Sequence, residues 1–278
     1  MPYRAGTGEP LVLLHGFTDT WRGWTPVLPA LSARHEVYAW SLSGHLGGEP
    51  WDRSVPVTIT AAVDAVERQL DALRLDQAHL AGNSLGGWLA LELAARGRAL
   101  SVTGVCPAGG WDPSSREERT VARYFRRNQL LLRIFRPLLP MVARHATLRR
   151  IALRDLVGDG RKVTPVSALG LFEGARGCTI VDDVVDLVGT DDTFGDLGPI
   201  DCPVRILYGS RDRLLQWPMY YSRMRAMLPD ADWKCLDGLG HLPMWDSPDA
   251  VATAILDHTR RAFGRGRGEP DIEPTGAA

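Results

Sequence analysis

Residues 78–96 read AHLAGNSLGGWLALELAAR, and this stretch decides the fold. Ala78-His79-Leu80-Ala81 reads as a strand, and Leu85 to Arg96 as a helix closed by Gly97. Between them lies Gly82-Asn83-Ser84-Leu85-Gly86-Gly87, a G-x-S-x-G pattern in the strand-to-helix context that gives it meaning. At so sharp a turn the serine is expected in strained backbone geometry, and side chains at positions 82 and 86 would crowd neighbouring elements. Such a turn lifts the Ser84 hydroxyl into open space. It also aims the Leu85 N–H, at a helix N-terminus, at the place where an oxyanion would form.

Outward from this turn, strand and helix patterns alternate. Leu11 to Leu14 is a continuous apolar run ending at His15-Gly16, as expected of a strand buried on both faces, and Val37 to Trp40 is a second. Thr58 can cap a helix whose Ile59, Ala62, Val63, Val66, Leu70 and Leu73 share one face. Val102 to Cys106, Val204 to Tyr208 and Trp233 to Leu236 read as further strands, with helices over Met219 to Leu228 and Pro248 to Phe263. The alternation predicts an α/β fold with a mainly parallel sheet and helices on both faces. Between about Trp111 and Pro199 the rhythm breaks into helical patterns without a convincing strand. The expected organisation is a core of residues 1–110 and 200–263, a helical insertion over 111–199, and a disordered tail over 264–278, GRGRGEPDIEPTGAA.

Composition narrows the functional classes. A chain of 278 residues, 45% apolar and 23% charged, can bury a full core and is not a disordered protein. A net charge of -1 leaves no global electrostatic footprint for nucleic acid. The four cysteines, Cys106, Cys178, Cys202 and Cys235, have neither CxxC spacing for zinc nor the density of a disulfide scaffold. With no signal-peptide pattern and no apolar run of membrane-spanning length, a cytoplasmic protein is expected. Charge is uneven within the insertion: Asp112 to Lys162 holds 13 basic and 5 acidic residues, and the second half turns acidic.

A serine hydroxyl is a weak nucleophile near neutral pH and needs a base, usually histidine, oriented by a carboxylate. Both are available downstream, each in a loop after a strand: Asp212 follows Tyr208-Gly209-Ser210-Arg211, and His241 follows Gly238-Leu239-Gly240. In a parallel sheet these loops emerge at the same carboxyl edge as Ser84. Of the other histidines, His35, His79, His145 and His258 read as structural or exposed, and His15 and His45 as residues that hold loops together.

On His15-Gly16-Phe17, the Gly82 to Gly87 turn, Gly209-Ser210-Arg211-Asp212, and Gly240-His241-Leu242-Pro243 with Asp246-Ser247-Pro248, the chain resembles the α/β-hydrolase superfamily with a cap domain, over about residues 9 to 262. The order Ser, Asp, His is that family's order. The resemblance implies Ser84 as nucleophile, His241 as general base and then acid, Asp212 as its orienting partner, and the backbone N–H groups of Phe17 and Leu85 as oxyanion hole; because some family members place the acid just after the strand ending near Cys106, Asp112 is the rival to Asp212. Family members usually carry a hairpin before the first parallel strand. Only ten residues precede Leu11, so a sheet lacking those strands is expected.

Trp21, Trp24 and Trp245 are candidate pocket residues. The segment Val121 to Pro137, with Tyr124, Phe125, Leu131, Leu132 and Phe135 among five arginines, reads as the apolar underside of a lid, with a membrane-surface helix as the alternative. The expected activity is hydrolysis of a carboxylic ester of a small or medium hydrophobic acid through an acyl-enzyme, with no metal or organic cofactor. Alternatives are diketone carbon–carbon hydrolysis, thioester or lactone hydrolysis, and non-catalytic ligand binding. The expected partner is a small ester-like molecule, in a monomer or homodimer.

Overall fold

A computed structural model describes residues 2–190 and 193–266, with side chains described through Ala262. Seven strands form one sheet: β1 (Tyr3–Ala5), β2 (Pro10–Leu14), β3 (Glu36–Ala39), β4 (Ala78–Asn83), β5 (Ala99–Val105), β6 (Val204–Gly209) and β7 (Asp232–Leu236). Their order is β1-β3-β2-β4-β5-β6-β7, parallel throughout except for β1, which runs antiparallel to β3 with Tyr3 opposite Ala39. The sheet is therefore not stripped of every strand before β2. One antiparallel strand remains, too short at three residues to show a period. Arg4 holds it, with its guanidinium on the Glu36 carboxylate (2.6 Å) and over the Tyr38 ring (5.0 Å).

The helices are α1 (Leu28–Ser32), α2 (Ile59–Ala72), α3 (Leu85–Ala95), α4 (Arg116–Ile134), α5 (Leu139–Arg144), α6 (Ala146–Ala152), α7 (Pro165–Gly177), α8 (Val181–Asp186), α9 (Ser222–Met227), α10 (Pro243–Asp246) and α11 (Pro248–Gly266). Strand side chains alternate between two apolar layers. Val12, Leu14, Leu80 and Val102 pack beneath α2, α3 and α9, while Leu11, Leu13, Val37 and Leu207 pack beneath α1 and α11. Burial on both faces is why these strands read as unbroken apolar runs, each buried leucine contributing about 2–3 kcal/mol.

Local signals set the helix starts. The Thr58 hydroxyl accepts from the Ala61 N–H at the head of α2, Ser115 caps α4, and Thr164 caps α7 ahead of Pro165. All five helices from α4 to α8 lie between β5 and β6, so the chain leaves the sheet at its carboxyl edge, where Ser84 sits, and returns one strand further on. Helix α11 continues through Gly266, into the segment expected to be a tail; residues 267–278 lie outside the described residues.

Candidate active site

Ser84 joins β4 to α3 with φ 51° and ψ −116°, a left-handed conformation that costs a non-glycine residue about 1–3 kcal/mol. The surroundings enforce it. The Ser84 N–H donates to the Val105 carbonyl (3.0 Å), and the Ser84 carbonyl accepts from the N–H groups of Gly87, Trp88 and Ala108. A Cβ on Gly82 would lie 2.0 Å from the Gly86 carbonyl oxygen, and one on Gly86 would lie 2.2 Å from that of Leu14. Both glycines are thus fixed by backbone against backbone.

His241 Nδ1 lies 2.7 Å from Asp212 Oδ2, both residues buried. The second carboxylate oxygen, Oδ1, accepts from the Leu214 and Leu215 N–H groups at 2.8 Å each. A carboxylate only accepts, so Nδ1 carries a proton and the neutral ring has Nε2 as its basic nitrogen. Ser84 and His241 line one cavity, without a direct hydrogen bond between them among the described residues. The N–H groups of Phe17 and Leu85 likewise have no hydrogen-bond partner among the described residues. Asp112, the rival acid, is exposed at the start of the insertion.

The roles of three neighbouring residues escaped the sequence reading. Asn83 is fully buried, and its side-chain amide donates to the carbonyls of Val105 and His241, both at 3.0 Å, tying the histidine loop to the serine turn. Asp246 joins that loop to the insertion: its Oδ2 accepts from the Gly240 and Gly158 N–H groups (2.8 Å each) and its Oδ1 from that of Asp159 (3.2 Å). Cys106 is buried beside the Asp212–His241 pair, and burial, with the Asp212 charge next, pushes its thiol well up, keeping it neutral. Asn83 stands in the quoted motif, but only the converging loops reveal its partners.

His15 and His45 hold loops, with fixed tautomers. His15 donates from Nδ1 to the Gly16 carbonyl (2.8 Å) and accepts the Leu42 N–H at Nε2 (2.8 Å). His45 donates from Nδ1 to the Ser43 carbonyl, packs edge-on to His15 and Phe17, and is held down to about 4 by burial. His35, His79 and His258 bond to neighbouring segments away from Ser84, and His145 is exposed. Asp19, in the loop after β2, is buried and borders the cavity. Its Oδ1 accepts the Thr20 N–H (2.8 Å), its Oδ2 has no partner among the described residues, and burial pushes its carboxyl up to about 7.

The cavity has two lobes meeting at Ser84. The larger, about 250 Å³, runs under the insertion between α4, α5 and α7, with Leu132, Leu139, Leu171 and Phe172 among its walls. The smaller, about 70 Å³, lies toward Trp111, Val184 and Phe194. Phe17 and Phe125, edge to face at 4.9 Å, border both. The three tryptophans expected there lie elsewhere. Trp24 is wholly buried in the layer beneath the sheet, while Trp21 and Trp245 line a separate surface groove, Trp21 stacked on Tyr3.

Residues 11–254 match the sequence profile of the Alpha/beta hydrolase family, and the chain belongs to that family. It is 31% identical over 193 residues to Epoxide hydrolase EphH of Mycobacterium tuberculosis (strain ATCC 25618 / H37Rv), covering 69% of this chain and 90% of that protein. It is 29% identical over 259 residues to the pimeloyl-[acyl-carrier protein] methyl ester esterase of Xanthomonas campestris pv. campestris (strain B100), covering 90% and 94%. The solved structure of a mutant meta-cleavage product hydrolase from Pseudomonas fluorescens IP01 superposes with a TM-score of 0.70 at 19% identity, covering 94% of each chain, which shows the shared fold.

Proposed function

We propose that the protein is a serine hydrolase that cleaves carboxylic esters of small or medium hydrophobic acids, with the insertion serving as the cap over its substrate. The observation that carries this reading is one apolar, two-lobed cavity bordered by Ser84, by an Asp212-oriented His241, and by Phe17 and Leu85, whose N–H groups have no hydrogen-bond partner among the described residues. His241 Nε2 takes the Ser84 proton as Oγ attacks the ester carbonyl, and the oxyanion rests on the N–H groups of Phe17 and Leu85. The imidazolium, stabilised by Asp212, then protonates the leaving alcohol. Water enters, gives its proton to His241, and releases the acid from the acyl-enzyme.

The relative named as an epoxide hydrolase offers the competing reading. Opening an epoxide through a covalent intermediate needs a carboxylate nucleophile, because the resulting alkyl ester can be cleaved by water. Ser84 would instead form an ether that water does not cleave under these conditions. The ester reading also accords with the relative named as a methyl ester esterase. Work in the cytoplasm, with no metal or organic cofactor, completes the proposal.

Labelling with a fluorophosphonate probe and peptide mapping tests it without a guess at the substrate. Modification at Ser84 that is lost in His241→Ala, together with turnover of p-nitrophenyl esters, is the expected result. Folded protein that resists both large and small probes would overturn the mechanism.

A further inference from the structure

From Arg119 to Arg154 the chain carries ten arginines and not one acidic residue. Within this run, Leu130, Leu131, Ile134, Phe135, Leu138 and Met141 are exposed, Leu130 by 55% and Ile134 by 58%, at the end of α4 and along the turn into α5. This departs from an apolar underside with a charged outer face: α4 turns Leu132 inward but sets Leu130 and Ile134 outward, one helical turn apart. Arg126 and Arg133 flank Leu130 on the helix. Some of the arginines are engaged, Arg126 with Asp186 (2.6 Å) and Arg127 with Asp155 (3.8 Å), while Arg149 is buried on backbone carbonyls. Arg123, Arg133, Arg136 and Arg144 have no acidic partner among the described residues.

We infer that this face of the insertion docks the protein onto an anionic lipid surface. Three observations favour a bilayer over other occupants. The protruding groups are aliphatic and aromatic tips bordered by long guanidinium stems, which place apolar atoms among acyl chains and charge among headgroups. Leu131 and Phe135 belong both to the exposed patch and to the wall of the large lobe, so the cavity adjoins the patch. A hydrophobic substrate dissolved in the bilayer would reach Ser84 along a route lined by apolar side chains. A second copy fits poorly, because a two-fold pairing of this face would set unpaired arginines against arginines. No helix of the described residues is long and apolar enough to cross the membrane, so the contact is with its surface.

The inference goes beyond the ester reading, and its binding test does not depend on that reading. Flotation of the full chain is measured with vesicles of phosphatidylglycerol and phosphatidylcholine in equal parts, with phosphatidylcholine vesicles in parallel. Strong salt-sensitive binding to the first and weak binding to the second is expected. Each arginine near an anionic surface contributes about fivefold to partitioning, so a triple Arg133→Gln, Arg136→Gln, Arg144→Gln variant should bind about a hundredfold more weakly. Leu130→Ser with Ile134→Ser should weaken binding at both compositions. Unchanged melting temperatures, and unchanged turnover of a short soluble ester if the wild type hydrolyses it, establish that both variants fold. No flotation of the wild type, or flotation that neither variant alters, overturns the inference. So does finding that the same residues instead hold two copies together in sedimentation, or bind an acidic acyl-carrier protein while vesicles are ignored.

Discussion

The carboxyl edge of the sheet and the helical insertion enclose the same cavity by different means. At the edge, position is imposed by backbone: the Ser84 carbonyl takes three N–H groups, Gly82 and Gly86 face carbonyl oxygens, and two N–H groups orient the Asp212 carboxylate. Over the cavity the insertion contributes mainly apolar side chains, and polar ties to the core lie around it, where Asp246 accepts from Gly158 and Asp159 and where Thr179 donates to the Gly44 carbonyl. Chemistry that needs groups held to a fraction of an ångström is thus built where no side chain can be added. Under the proposed function, selectivity falls to the region where side chains can be exchanged without moving the chain.

The largest expected effect falls on the edge. Under the proposed mechanism Ser84→Ala lowers kcat on a p-nitrophenyl ester by on the order of a millionfold, and Asp212→Asn by about ten thousandfold, the latter by presenting the wrong imidazole tautomer. Steady-state kinetics on the purified variants decides this; an Asp212→Asn variant with near-normal kcat would remove that residue from the mechanism. Next comes Gly86→Ala. With the Leu14 carbonyl in the way, the turn cannot close without moving β2, and the variant should be insoluble or destabilised by more than about 4 kcal/mol in urea unfolding.

The Asp19 carboxyl, at about 7 when folded against an ordinary 3.8, binds its proton more tightly in the native state than in the unfolded chain. Its stabilising effect is therefore fully present only at low pH and is lost as pH rises from about 4 to about 7, by roughly 4 kcal/mol. Asp19→Asn should remove that decline. Melting curves of the two proteins across this range that run parallel would show that Asp19 ionises freely. The smallest effect belongs to the insertion: Gly170 lies within α7 with open space where a Cβ would go. Gly170→Ala should raise stability by up to about 1 kcal/mol, the opposite sign to Gly86→Ala. A loss at both positions would erase the contrast between the two regions.

The same contrast separates what could be read in the sequence from what could not. The serine turn was legible because its backbone demands glycines at fixed offsets, and the parallel sheet because double burial leaves continuous apolar runs at Leu11–Leu14 and Val37–Trp40. Asp246 was visible as part of a motif, but not as the acceptor for Gly158 and Asp159, residues 88 and 87 positions earlier. Such a contact exists only once the insertion has folded back. The tryptophans misled because a large aromatic satisfies the same hydrophobic demand inside the core, as Trp24 does, as it would in a ligand cavity. Strand β1 escaped because its pairing is with β3, more than thirty residues away, and three residues carry no periodicity of their own.

The left-handed backbone at Ser84 carries a cost that the neighbouring glycines do not. Glycine is the residue that conformation favours, so folding and chemistry pull position 84 in opposite directions. Under the proposed mechanism, a lineage released from the need to form an acyl-enzyme would gain robustness by drifting to glycine there, keeping a sturdier shell around an inert pocket.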